Sequence, residues 1–74
     1  MTRLPTLTAR KVVAALKRAG FEEVRQDSSH LYFWHPICQL GTCVPMHSGD
    51  LKRSLVRGII RQAGLTEEEF RKLL

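Results

Sequence analysis

Three histidines, two cysteines and a run of arginines hold most of the chemistry this sequence can perform. His30 follows the polar turn Asp27-Ser28-Ser29 and opens the aromatic run His30-Leu31-Tyr32-Phe33-Trp34-His35. An unperturbed imidazole titrates near ~6.5, so an exposed histidine can take or give a proton at neutral pH. RNA cleavage through the ribose 2′-hydroxyl needs such a group, as a base for that hydroxyl or as an acid for the departing 5′-oxygen. By itself an exposed histidine is more often an ordinary surface residue.

A second constellation is His35-x2-Cys38-x4-Cys43-x3-His47. Two thiolates and two imidazoles are a zinc set. The four residues nevertheless span a strand end, a loop and a strand, not one tight knuckle. Free thiols are the simpler reading, and a Cys38–Cys43 disulfide is disfavoured in a reducing compartment. We therefore expect no metal and no cofactor. A third feature is Arg53, Arg57 and Arg61, spaced four apart on the polar side of a helix, with Lys52 beside them. The stripe carries no interleaved acid, unlike a face built on i,i+4 ion pairs. It suits phosphates or an acidic protein, against the plainer reading of a solvated helix face.

The bulk numbers limit what can surround these groups. The chain has 74 residues and a net charge of +5, with a pI of about 9.9. A chain this short has a thin core, so an active site should be shallow and open. The basic balance points first to nucleic acid and then to an acidic protein. A hydrophobic content of 43% argues against disorder. No apolar run approaches the ~18 residues of a membrane span, and MTRLPTLTAR lacks the apolar core of an export signal. Two cysteines without such a signal suit the cytoplasm.

The elements that must position these groups follow from local patterns. Thr8 is a candidate N-cap for a helix to Ala19, with Leu7 and Val12 as a staple. Val12, Leu16 and Ala19 form its apolar stripe, joined by Val13, and Gly20 ends it. FEEVRQ, HLYFWH and TCVPM read as three short strands. A second helix is expected from about Leu51 to Ala63, capped by Asp50. Its apolar positions are Leu51, Leu55, Val56, Ile59, Ile60 and Ala63. After Gly64, Thr66 and Glu69 form a capping box for a last short helix, with Leu65 and Phe70 as its staple. Consecutive strands favour an antiparallel sheet with both helices on one face. Alternation puts Leu31 and Phe33 toward the core. His30, Tyr32 and Trp34 then share the open face, where the two aromatics could stack on unpaired bases or bury against a partner protein, against the plainer reading that a small core claims them too.

Several motifs occur together in one order: a first helix ending in Gly20-Phe21, Ser28-Ser29-His30 before Leu31-Tyr32-Phe33, then His35-Pro36, Val44-Pro45 with His47 nearby, and LVRGIIRQAGLTEEEF at the end. In this the chain resembles the HicA family of toxin–antitoxin mRNA interferases over nearly its whole length. Ser28 stands where the family usually has Gly, and Ser54-Leu55 where it often has Gly-Thr. The resemblance implies one HicA-like domain over residues 1–74 with a double-stranded-RNA-binding-domain-like α-β-β-β-α fold. It implies metal-independent cleavage of mRNA and neutralisation by a HicB antitoxin, with His30 on the family's catalytic histidine. Lys52, Arg53 and Arg57 are then expected to hold the phosphate and steady the charge of the pentacovalent intermediate. Arg61, Tyr32 and Trp34 complete the expected RNA contacts. A homodimer is left open. The alternatives are a non-catalytic RNA-binding module on the same fold and a zinc-stabilised interaction domain.

Overall fold

The computed structural model describes residues 4–74 of the chain. Its elements are β1 (Leu7–Thr8), α1 (Ala9–Arg18), β2 (Glu22–Gln26), β3 (His30–His35), β4 (Leu40–Pro45), β5 (Asp50–Leu51), α2 (Arg53–Gln62) and α3 (Glu67–Lys72). An antiparallel sheet has the order β2-β3-β4, and β1 and β5 form a separate antiparallel pair. The α-β-β-β-α order with a short last helix is the expected one. The third strand begins at Leu40 instead of Thr42.

Local chemistry sets most of the helix ends. Thr8 caps α1 by accepting the Lys11 N–H at 3.3 Å. At the other end the Phe21 N–H reaches Leu16 O at 3.0 Å and the Gly20 N–H reaches Lys17 O at 3.1 Å, which satisfies two orphan carbonyls. Gly20 sits at φ +100°, and a Cβ there would lie 2.8 Å from His35 Nε2, so both backbone and space call for glycine. Leu65 and Gly64 close α2 with the same pair of bonds, to Ile60 O and Arg61 O. Thr66 and Glu69 form the capping box of α3 in full.

The start of α2 departs from the expectation. Asp50 is not its cap and Leu51 is not helical. Lys52 holds the N-cap position without a side-chain bond, while Leu51 is extended and pairs with Leu7. Leu7 and Leu51 are both buried. Burying a leucine contributes ~1.5–3 kcal/mol, and an N-cap side chain typically ~1 kcal/mol. The packing of Leu51 on the segment before α1 therefore prevails over one more helical residue.

The core lies between the sheet and the helices. Leu31 and Phe33 of β3 stand opposite Val44 and Thr42 of β4 on the covered face. Against them pack Val12, Ala15 and Leu16 of α1, Val56, Ile59 and Ile60 of α2, and Phe70 of α3. Buried Thr42 is satisfied by donating to Gln62 Oε1 at 2.8 Å. Leu55, expected in the apolar stripe, is instead 38% exposed. It borders an open groove together with His30, Cys43 and Pro45 of the sheet. On the other face of β3, His30, Tyr32 and Trp34 are opposite Pro45, Cys43 and Gly41.

Candidate active site around His30

Asp27 organises the turn that presents His30. Its Oδ1 accepts the Ser29 N–H at 3.0 Å and the His30 N–H at 2.8 Å. Its Oδ2 accepts the Tyr32 hydroxyl at 3.2 Å, and its own N–H donates to His30 O at 3.0 Å. One carboxylate thus ties the turn to the second residue of the following strand face. The backbone N–H groups of Ser29 and His30 hold the Asp27 carboxyl below its ordinary value, with smaller help from the Tyr32 hydroxyl and the nearby His30. The same contact raises the Tyr32 phenol, because the carboxylate uses its proton and opposes a second negative charge.

This gives a pH dependence with a definite sign. A carboxyl whose folded pKa is depressed stabilises the fold above its ordinary pKa and loses that contribution as pH falls through the folded value. An NMR titration should therefore show Asp27 titrating below 3.8, with the Ser29 and His30 amide signals following it. A midpoint at or above 3.8 would mean that the turn is not held by this carboxylate.

The His30 ring is fixed on one side. Ser29 Oγ lies 2.9 Å from Nδ1, and Asp27 Oδ1 lies 3.8 Å from the same nitrogen. Among the described residues Nε2 has no hydrogen-bond partner. The side chain is 42% exposed and lines a groove of about 260 Å³ between the sheet and α2, with Cys43, Pro45, Ser54, Gly58 and Gln62 among its walls. Beyond His30 the open face carries Tyr32, with the Arg25 guanidinium 4.9 Å from its ring centre. Trp34 lies over Gly41, where a Cβ would be 3.3 Å from its Cε3.

The arginine stripe does not converge on His30. Arg53 Nε donates to Leu4 O at 2.9 Å. Arg57 Nε lies 3.5 Å from Glu67 Oε2, so the acid that the stripe itself lacks comes from α3. Arg57 and Arg61 border a separate hollow with Leu65 and Thr66. With about 100° between successive helical residues, the stripe and the Ser54–Gly58–Gln62 row lie on different sides of α2. Lys52 is exposed at the helix start. Arg25 is instead the cation beside Tyr32. Its place depends on a bulge between Glu23 and Arg25, which sets Arg25 opposite Tyr32; plain alternation would have put Val24 there.

The Cys/His set is not gathered. His35 donates from Nε2 to Ala19 O at 3.1 Å and accepts the Cys38 N–H at Nδ1 at 3.1 Å. Its ring stands edge-on to Phe21 at 5.1 Å. Cys43 is on the opposite sheet face, and His47 Nδ1 donates to Ser48 O at 3.1 Å. Among the described residues no three His, Cys, Asp or Glu side chains come together in a metal-binding group.

The family model described as "HicA toxin of bacterial toxin-antitoxin" matches residues 9–65. The chain belongs to the HicA family. No curated protein matches it. The matched span contains α1, the sheet, α2 and every residue named around His30. As a HicA toxin the chain is one component of a toxin–antitoxin system, which implies an antitoxin partner. Among the described residues no helix is long and apolar enough to cross a membrane. Ser28, where the HicA pattern usually has Gly, needs no left-handed backbone. Gln39 is the one non-glycine residue with positive φ among those described.

Proposed function

We propose that this HicA toxin is a metal-independent endoribonuclease that cleaves mRNA in the cytoplasm, with His30 as its proton-transfer residue and a HicB-type antitoxin as its partner. The observation that carries this reading is the His30 ring itself. It is held at Nδ1 by Ser29 and lies on an open sheet face beside a groove. An imidazole oriented through one nitrogen keeps the other for a substrate proton.

In the reaction the ribose 2′-oxygen attacks the adjacent phosphorus, forming one P–O bond as the bond to the 5′-oxygen breaks. The 2′-hydroxyl loses its proton and the 5′-oxygen gains one. His30 carries one of these transfers. The products are a 2′,3′-cyclic phosphate and a 5′-hydroxyl, and no metal enters the balance. Tyr32 and Trp34 offer stacking surfaces for unpaired bases. Arg25, beside Tyr32 on the open face, meets a backbone phosphate there, and Lys52, Arg53, Arg57 and Arg61 serve the flanking RNA backbone, at a distance from the bond that is cut.

Salt tests this arrangement. RNA affinity should fall as salt rises, with a slope near −0.7 for each phosphate contact on single strands. Arg25→Ala should flatten the slope by about 0.7, measured by fluorescence anisotropy across a salt series. Arg57→Ala should flatten it less, because Glu67 already offsets part of that charge. An unchanged slope for Arg25→Ala in a folded protein would remove Arg25 from the RNA path.

A further inference from the structure

Gly58 has no role in the packing. It stands in the interior of α2, where glycine is the least favourable residue short of proline. It has no positive φ, and a Cβ built there would meet nothing within 4 Å among the described residues. Neither the backbone nor a neighbour therefore calls for glycine. What its missing side chain does is leave space, and that space is part of the groove lined by His30, Cys43 and Pro45. Ser54 and Gln62 flank Gly58 on the same row of the helix. The Gln62 oxygen is engaged by the Thr42 hydroxyl at 2.8 Å, so its amide N–H₂ is what Gln62 offers the groove.

We propose that this groove is a nucleobase subsite beside the scissile phosphate, with depth set by Gly58 and a hydrogen-bond donor supplied by Gln62. The inference rests on the RNA-cleaving reading above and adds where a base sits and what reads it. The ligand is a single unpaired nucleotide. At about 260 Å³ the groove falls below the ~300 Å³ at which pockets for larger organic ligands begin. The amide donor favours a base with an acceptor at its edge, such as a carbonyl oxygen or a ring nitrogen. Gly58 and Gln62 are thus specificity-determining residues, and His30 remains the group that moves the proton.

The test uses the full chain and one RNA of mixed sequence, with the cut positions mapped and kcat/KM measured. Gly58→Leu should fill the groove and lower kcat/KM by roughly 10–200-fold, the range for a mismatch of pocket and substrate shape. Its thermal midpoint should equal or exceed that of the wild type, since leucine is a good helix former. Gly58→Ala should also gain stability and keep cutting within a few-fold, which separates filling the groove from altering the helix. Gln62→Leu should redistribute the cuts among neighbouring bases more than it lowers the total rate. Wild-type cutting positions and rates in a folded Gly58→Leu protein would overturn the proposal and leave the role of His30 intact. Unchanged cutting combined with lost protection by the cognate antitoxin would assign the groove to the protein partner and also overturn it. A folded wild type that never cuts RNA would remove the reading beneath it.

Discussion

Replacing His30 by alanine should lower RNA cleavage by ~10²–10⁴-fold, the usual contribution of a general acid or base. RNA binding should persist, because the charge and the stacking surfaces come from side chains other than His30. Stability should shift by about 0.5 kcal/mol or less, as for other surface changes, because His30 lies on the uncovered sheet face. The neighbouring histidines serve as controls with different expected outcomes. His47→Ala should cut RNA normally. His35→Ala should lose stability, because both ring nitrogens are hydrogen-bonded and the ring packs on Phe21. Chelator should leave wild-type cleavage unchanged. Single-turnover rates with matched anisotropy measurements separate these effects. A His30→Ala protein that cut at the wild-type rate would remove the histidine from the chemistry.

Phe33→Ala should have the largest effect on the fold. Phe33 is 2% exposed at the centre of the middle strand, and a buried Phe→Ala change costs ~3–5 kcal/mol through lost transfer energy and the cavity left behind. Whole domains are stable by only ~5–15 kcal/mol, and one this small lies toward the lower end. Since each kcal/mol shifts the midpoint of a 60–100-residue domain by roughly 4–8 °C, Tm should fall by roughly 12 °C or more. Its neighbour Trp34 faces the other way and is 41% exposed. Trp34→Ala should cost far less stability and instead weaken RNA binding by ~1–3 kcal/mol, the usual value of one stacked base. Thermal unfolding and RNA binding on the same two variants test this division between the faces. Equal losses of stability would contradict it.

What was legible in the sequence was what local chemistry decides. Thr8 and Thr66 act as caps because each hydroxyl needs only the N–H three residues on, and Glu69 completes the box by accepting the N–H three residues back. Gly20 and Gly64 end their helices through local bonds, reaching back three residues from each glycine and five from the residue after it. The facing of β3 was readable because Leu31 and Phe33 alternate with less apolar neighbours. What depends on distant pairing was not readable. Leu51 leaves the helical pattern because Leu7, far away in the chain, provides a burial site for it. The place of Arg25 depends on a bulge with no residue signature of its own. The ion pair of Arg57 comes from α3. In the site, His30 stood out by its flanking residues, whereas Asp27 read as one polar turn residue among three. The groove that Gly58 opens exists only once α2 lies beside β4.

The reading of this HicA toxin as an endoribonuclease is tested most directly by the chemistry of the ends it makes. The purified chain is incubated with one unstructured RNA in strong chelator, and the fragments are identified by mass spectrometry. Attack by the 2′-hydroxyl leaves a 2′,3′-cyclic phosphate on one fragment and a 5′-hydroxyl on the next, and both should form ~10²–10⁴-fold more slowly with His30→Ala. Fragments carrying a 5′-phosphate, or RNA left intact by a folded wild type that binds it, would contradict the account.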